Sequence, residues 1–455
     1  MTKTLYQEEM TDAKNIITNR IAPDNVLSTL RKYMLVDGLD LVIDLEKSSG
    51  AYLYDSRKKA NYLDMFSFVA SNPVGMNHPK MLDPEFVNHI GHVALNKPSN
   101  SDVYNAEMAE FVETFFNIAV PSYFKYSFFI EGGALAVENA LKTAFDWKVK
   151  KNFKKGYEVE KGHQVIHFKH AFHGRSGYTM SLTNTDPVKT ALYPQFRWPR
   201  ITPPIVRFPM NENNLDEVIK LEQEAIGEIK KALADNKDDI ACLIMEPIQG
   251  EGGDNHFRKE FFEQIRTICD ENEMLFIIDE IQAGVGMTGK WWAHQHYVQP
   301  DIIAFGKKSQ VCGILVTDRI DDIENNVFHE SSRLNSTWGG NIVDMVRFKK
   351  YLEIIYEENL VENARVVGDH LLSRLRELEE KYPSLVTNAR GKGLFCAIDL
   401  PNTELRNKLR DMVFENHVAI LGSGAHSFRF RPALIITKEQ IDKAINVIHS
   451  CLAKM

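Results

Sequence analysis

MLFIIDEIQAGVGMTGK (274–290) decides the fold. Its first half is an unbroken apolar run of strand length that stops at Asp279, and its second half is a turn punctuated by glycines. A run that is apolar at every position, rather than at every second one, suits a strand covered on both faces of a sheet. The pattern recurs outward on both sides, in IACLIMEP (Ile240 to Pro247), QVIHF (Gln164 to Phe168) and DIIAF (Asp301 to Phe305). Longer amphipathic stretches lie between and predict helices over Ala134 to Lys150, Leu215 to Ala234 and Lys259 to Asn272. This alternation predicts an α/β domain with a mostly parallel sheet covered by helices. After Gly340 the pattern changes. One long helix-like stretch, Met345 to Lys381, precedes short segments containing RGKGLFCAIDL and HSFRFRPALII, which predicts a separate α+β domain beginning near Asn341.

At 455 residues the chain is too long for one compact unit, so at least two domains are expected. Lys and Arg total 54 against 62 Asp and Glu, a formal net charge of −8, which argues against nucleic acid or an anionic membrane surface as partner. The opening residues MTKTLYQEEMTDAKN lack the apolar core of a secretory signal, and no segment approaches the roughly 18 to 20 apolar residues that span a bilayer, so a cytoplasmic protein is expected. The five cysteines, Cys242, Cys269, Cys312, Cys396 and Cys451, are far apart and form no C-x-x-C pair. They predict reduced, buried thiols and no metal site.

In open α/β sheets ligands collect beyond the carboxyl ends of the strands. Four segments place polar residues there: Asp279 ends MLFIID, Lys307 and Lys308 follow DIIAFG, KHAFHGRSGY follows QVIHF, and EPIQGEGG follows IACLIM. Each alone is most simply a solvated loop. Together, a lysine, a carboxylate and a phosphate cradle on one sheet edge would suit pyridoxal phosphate. The lysine amine forms an imine with the aldehyde, and the carboxylate keeps the pyridine nitrogen protonated so that the ring absorbs electrons. Lys307 and Asp279 fit these roles. FIEGGALAVENALK (129–142) could supply the cradle, because Gly132 and Gly133 precede a good helix former and leave free amides at the positive end of its dipole.

Taken in order from NYLDMFSFVASNPVGMNHP (61–79) to RFRPALI (429–435), these segments resemble the class III, fold type I pyridoxal-phosphate aminotransferases. DEIQAGVGMTGK is similar to that family's D-E-V-Q-x-G-x-G-R-T-G, with Met287 where arginine is usual. Lys307 stands six residues after Asp301, where the family's cofactor lysine lies. Lys308 is its neighbour, whose charge is expected to lower the Lys307 amine. The resemblance implies an N-terminal segment (1–75) packing with the small domain, a large domain (76–340) with a mostly parallel seven-stranded sheet, and a C-terminal small domain (341–455). It also implies the cofactor contacts: amides of Gly133 and Ala134 on the phosphate, Phe172 stacked on the ring, Gln282 on the ring hydroxyl, and Glu246 supporting the Asp279 region. Thr337, in NSTWGGN, would reach the phosphate of the other subunit, so a homodimer with a shared active site is implied. The family's S-G-x-E-A-N-E helix start is E-G-G-A-L-A-V-E-N here, which leaves the phosphate to backbone amides.

Members of that family act largely on ω-amines. An aminotransferase admits two substrates in turn, and 2-oxoglutarate needs one cation beside its reacting carbon and another farther away. By resemblance Arg175, in AFHGRSGY, is the distal clamp and Arg429, in SFRFRPAL, the near one. A terminal-amine donor has no carboxylate near its reacting carbon, so Arg429 would be left unpaired and desolvated. Glu251, in QGEGG, is expected to screen it while the donor is bound and to swing away for 2-oxoglutarate. FGKKSQVCGI, NSTWGGNIVDMVR and FVASNPVGMNHP are similar to the branch that takes the ε-amine of L-lysine. The product would be 2-aminoadipate 6-semialdehyde, which closes to a cyclic imine, alongside L-glutamate. Arg175 would then bind the lysine α-carboxylate, and Asn335 its remote end.

Alternatives are a 4-aminobutyrate or ornithine aminotransferase, a racemase or aminomutase that keeps the cofactor, and a catalytically silent protein that keeps the fold. His78, His173 and His294 lie near motifs but are expected to be structural, because the Schiff-base lysine can itself carry the proton.

Overall fold

The computed structural model describes residues 20–455. An antiparallel meander comes first, made of β1 (Ile43–Ser49), β2 (Tyr52–Asp55) and β3 (Ala60–Asp64). A distant strand, β13 (Val418–Ala419), joins it by pairing parallel to β3. The central sheet has seven strands: β4 (Phe124–Ile130), β5 (Gln164–Phe168), β6 (Arg200–Ile201), β7 (Ile240–Met245), β8 (Leu275–Asp279), β9 (Ile302–Phe305) and β10 (Cys312–Thr317). Their order across the sheet is β4-β10-β9-β8-β7-β5-β6. Only β10 runs against its neighbours; the remaining pairs are parallel, as the apolar runs predict. The last sheet is antiparallel and is built from β11 (Thr387–Lys392), β12 (Phe395–Asp399), β14 (Leu421–Ser423) and β15 (Ser427–Phe430).

Strands β7, β8 and β9 are buried at every position because both faces are covered. Ile244, Ile277 and Ile314 pack on one face against Ala136, Val137, Ala140 and Trp147 of the helix Gly133–Lys154. Leu243, Phe276 and Ile278 point the other way, as alternation requires, into a core with Phe111, Phe262 and Phe348. That core continues without interruption into Leu394, Phe430 and Ile445 of the C-terminal segments. Met287, standing where the family usually has arginine, is fully buried in it.

The single helix expected over Met345 to Lys381 is two helices, Ile342–Glu357 and Leu360–Lys381. Asn359 breaks it in the left-handed conformation, φ 52° and ψ 41°, which asparagine tolerates better than most side chains. Periodicity hid the break, since Leu352 and Ile355 before it and Leu360 and Ala364 after it enter one core.

A second left-handed turn lies beside the site. Ser67, Phe68, Val69 and Ala70 take φ values of 38°, 53°, 60° and 62°, a conformation costing about 1–2 kcal/mol per residue. Four hydrogen bonds hold it: Asp64 Oδ1 accepts from the Phe66 and Ser67 amides at 2.9 and 2.7 Å, Ser67 Oγ donates to Arg431 O at 2.6 Å, and Lys308 Nζ donates to Ala70 O at 3.2 Å.

All five cysteines are free and buried. Burial pushes the Cys269 and Cys396 thiols to about 12. Among the described residues no helix is long and apolar enough to cross a membrane.

Candidate functional site

The parallel strands bring their carboxyl ends to one edge, and the candidate residues collect there. Asp279 is the last residue of β8, Glu246 follows β7, Gly306 and Lys307 follow β9, and the loop 169–178 follows β5. The start of the helix Gly133–Lys154 joins them after β4. A cavity of ≈ 310 Å³ opens at this edge, lined by Gly133, Ala134, Phe172, Arg175, Glu246, Glu251, Asp279, Gln282 and Lys307 among others. A second cleft, of ≈ 470 Å³ around Lys150 and Arg333, contains none of them.

Lys307 sits at φ 55°, a strained backbone of the kind that concentrates at functional sites. Burial lowers its amine from the ordinary lysine value to about 8; Arg429 adds to the fall, and the Glu251 and Glu246 carboxylates oppose it. The expectation that Lys308 supplies the depressing charge needs correcting. Lys308 is enclosed, its amine donates to Gln282 O at 2.7 Å and Ala70 O at 3.2 Å, and burial drives it well below the ordinary value. A lysine so held is a poor source of positive field.

The Lys307 value carries a sign that can be tested. The nucleophile is the neutral amine, so capture of pyridoxal phosphate by cofactor-free protein accelerates as pH rises through about 8 and levels off above it. A lysine at its ordinary value would keep accelerating to roughly pH 10. Rapid-mixing rates across that range decide the matter, and a rate still rising at the upper end contradicts the lowered amine.

Asp279 is buried, and its two oxygens have separate partners. Oδ1 accepts from the Ile281 amide at 3.1 Å, and Oδ2 lies 2.7 Å from His173 Nδ1. A carboxylate only accepts, so the His173 proton sits on Nδ1. His173 was expected to be merely structural. It is instead the fixed partner of Asp279, lines the cavity, and leaves its buried Nε2 without a hydrogen bond among the described residues. His78 and His294 do not line the cavity. His78 pairs with Glu358 at 3.2 Å, and His294 joins Glu280 at 2.9 Å and Tyr123 at 2.6 Å.

Glu246 ties the loop after β5 to the loop after β7, accepting from the Phe172 and Gly250 amides at 3.0 Å each. Burial lifts its carboxyl to about 7, with His173 and these amides opposing and Asp279 adding. Gly174, at φ 116°, lets the Phe172 loop close on the helix start; a Cβ there would lie 2.5 Å from the Ala134 Cβ. The helix Gly133–Lys154 has no side-chain cap at Gly132, so its first amides remain open to an anion.

Gln282 Oε1 accepts from Arg431 Nε at 3.2 Å. Arg431 is 1 % exposed, donates to Asp254 Oδ1 at 2.6 Å, and stacks 3.2 Å over the Phe395 ring. This relay was not read in the sequence. With its oxygen taken, Gln282 offers the cavity its amide nitrogen as donor.

The two arginines expected to bind carboxylates differ in state. Arg175 is exposed, lines the cavity, and has no ion-pair partner among the described residues. Arg429, 5 % exposed, donates from Nη1 to Glu251 Oε2 at 2.9 Å. Burial pushes the Glu251 carboxyl up, but Arg429 and Lys189 outweigh it and hold it below its ordinary value. Asn335 and Thr337 do not join the group. Both are exposed on the 331–338 segment and neither lines the cavity; the Thr337 carbonyl accepts from Ser101 Oγ at 3.2 Å.

A flat, anionic, aldehyde-bearing ring fits this cavity. It finds a lysine of lowered basicity, a buried carboxylate with unused acceptor capacity, uncapped helix amides and the Phe172 ring in one enclosure. The residues present therefore fit pyridoxal phosphate.

The family model for aminotransferase class III matches residues 33–452. The chain is 50% identical over 432 residues to the L-lysine-epsilon aminotransferase of Mycobacterium tuberculosis, covering 94% of this chain and 96% of that protein. It is 47% identical over 429 residues to the L-lysine-epsilon aminotransferase of Streptomyces clavuligerus, covering 94% and 93%. The lysine aminotransferase of M. tuberculosis, solved in its internal aldimine form, superposes with a TM-score of 0.93 over 95% of this chain and 100% of the other. The chain belongs to the class III aminotransferases.

Proposed function

We propose that this protein transfers the ε-amino group of L-lysine to 2-oxoglutarate, with pyridoxal phosphate as cofactor and Lys307 as the residue that binds it covalently. One observation carries the reading. The cavity presents an Arg175 with no ion-pair partner among the described residues and reaches, through Glu251, an Arg429 whose charge is already covered. A donor with its carboxylate far from the reacting amine needs the first cation and must not meet the second. A dicarboxylate acceptor needs both. Lysine is favoured over 4-aminobutyrate and ornithine by the 50% identity to a protein named for the lysine ε-amine.

When bound, pyridoxal phosphate supplies an aldehyde for covalent capture and a ring that accepts the electron pair released at the reacting carbon. Asp279 would hold the ring nitrogen protonated, and His173 fixes that carboxylate through Nδ1. The amides of Gly133 and Ala134 would hold the phosphate, Phe172 would cover the ring, and Gln282 would donate to its hydroxyl. With the cofactor bound, the Lys307 amine would be the group that takes the proton from the ε-carbon of lysine. A lysine lowered to about 8 is close to matched to that task. Arg175 orients the α-carboxylate of lysine, while Glu251 keeps Arg429 neutralised.

Purified protein loaded with cofactor and mixed with lysine, ornithine or 4-aminobutyrate, without any oxo acid, tests the substrate. Fast bleaching of the cofactor band by lysine, reversed by 2-oxoglutarate, is the expected result. A preference for ornithine or 4-aminobutyrate would refute the lysine assignment, and indifference to all three would refute transamination.

The site is also proposed to be completed by a second copy of the chain, which supplies Thr337 to the phosphate and brings Asn335 to the substrate's remote end. Both residues are exposed and away from their own cavity, which supports the reading. Light scattering is expected to give a dimer, and Thr337→Ala to loosen the cofactor. A monomer with full activity rejects it.

A further inference from the structure

Glu251 holds two cations. Its Oε2 accepts from Arg429 at 2.9 Å, and its Oε1 accepts from Lys189 Nζ at 2.7 Å. The function proposed above uses only the first of these contacts. The two cations differ in mobility and position. Arg429 is buried on β15, where its backbone is held between Ala397 of β12 and Leu421 of β14. Lys189 ends the short turn Pro187–Lys189, which follows an exposed Asp186, and its side chain is 22% exposed. Its amine also reaches Thr185 Oγ1 at 3.3 Å and lies 5.4 Å over the ring of Phe172, a residue of the cavity wall. Lys189 therefore stands beside the cavity, on a segment separate from β15, and touches the carboxylate oxygen that Arg429 leaves alone.

The second half of the reaction brings a carboxylate to Arg429, and Glu251 must then release that partner. With Arg429 as its only partner, Glu251 would become an uncompensated carboxylate in a largely enclosed place, and the cost would weaken acceptor binding. Lys189 removes that cost. One oxygen can stay paired while the other leaves, and the solvent-facing turn lets the lysine follow the carboxylate outward. During the first half of the reaction both pairs persist, so Lys189 makes no difference between the free and the donor-bound site.

We propose that Lys189 is a positioning residue that keeps Glu251 paired while Arg429 takes the carboxylate of the dicarboxylic oxo acid. The proposal rests on the two-arginine reading of the cavity, and it assigns Lys189 to one half-reaction only.

The test uses cofactor-loaded wild type, Lys189→Met, Lys189→Gln and Lys189→Arg, each compared by melting temperature. Calorimetric titration with glutarate, which has two carboxylates and no reacting carbonyl, is set against valerate, which has one. Lys189→Met and Lys189→Gln are expected to weaken glutarate about ten-fold and to leave valerate within about two-fold, with Lys189→Arg recovering most of the loss. Rapid mixing should slow the 2-oxoglutarate half-reaction by a similar factor and spare the lysine half-reaction. Equal changes for both ligands, no change for either, or no rescue by arginine would overturn the proposal. Failure of the function reading itself looks different: the wild type would not respond to lysine, while the glutarate and valerate titrations would still judge Lys189.

Discussion

Lys307→Ala is expected to reduce turnover by about 10² to 10⁴-fold, the range lost when a positioned proton-transfer group is removed, and to abolish covalent attachment of the cofactor. Lys308 cannot substitute. Its amine is committed to the carbonyls of Gln282 and Ala70 and is fully enclosed, so reaching the cavity would break both bonds and the turn they hold. Borohydride reduction followed by mass spectrometry should find the cofactor on Lys307 in the wild type and on no lysine in the variant. Methylamine added to Lys307→Ala should restore part of the rate, because a free amine can enter the space vacated by the side chain. Rescue separates a missing amine from a damaged site, because an added amine restores nothing where Asp279 or Glu246 has been displaced. Retention of more than about a tenth of the activity would contradict the role assigned to Lys307.

The second large effect is expected of Asp279→Asn, which keeps the shape of the side chain and removes its charge. The other carboxyl groups of the cavity are already engaged, since both Glu246 oxygens accept from backbone amides and Glu251 is paired with Arg429 and Lys189. Loss of about 10² to 10³-fold in both half-reactions is expected, with cofactor still bound through Lys307. His173 responds too. Without a carboxylate on Nδ1 its tautomer is no longer dictated, and the unpartnered Nε2 becomes an alternative site for the proton. Equal losses in the lysine and 2-oxoglutarate half-reactions distinguish this variant from changes at Glu251 or Lys189, which act on one half. A loss below about ten-fold would show that charge at this position is not used.

The parts legible in the sequence are those written into single segments. Strands β5, β7, β8 and β9 were placed within one or two residues because their apolar runs have no competing period. Asp279 and Lys307 drew attention because Asp279 ends such a run and Lys307 stands just beyond the end of another. The Glu251–Arg429 contact was readable only through the resemblance, since 178 residues separate the two. His173 escaped because its meaning depends on Asp279, 106 residues away, and nothing local marks a buried histidine that faces a carboxylate. Arg431 left a fainter signal: in SFRFRPAL the phenylalanines alternate with Arg429 and Arg431, so two arginines share the alternate positions of a buried strand and its exit. Such a pair demands acidic or carbonyl partners: Glu251 supplies one to Arg429, and Asp254 and Gln282 supply Arg431. Lys189 left none, because a lysine ending an exposed turn is the commonest of surface residues.

The five enclosed thiols turn the molecule into its own record of breathing motions. Each sulfur is hidden in the closed form, and burial raises the thiols that a labelling reagent would need as thiolates. A reagent can therefore modify them only during transient opening, and the five sites sample different regions. Cys242 lies in the middle of the central sheet, Cys312 begins β10 close behind Gly306, Cys396 belongs to the C-terminal sheet, and Cys269 and Cys451 sit on separate helices. Modification rates followed site by site would rank the local opening energies of these regions without any introduced probe. Protection of Cys312 alone on cofactor loading would locate the tightening at the turn between β9 and β10, which carries Lys307 and Lys308.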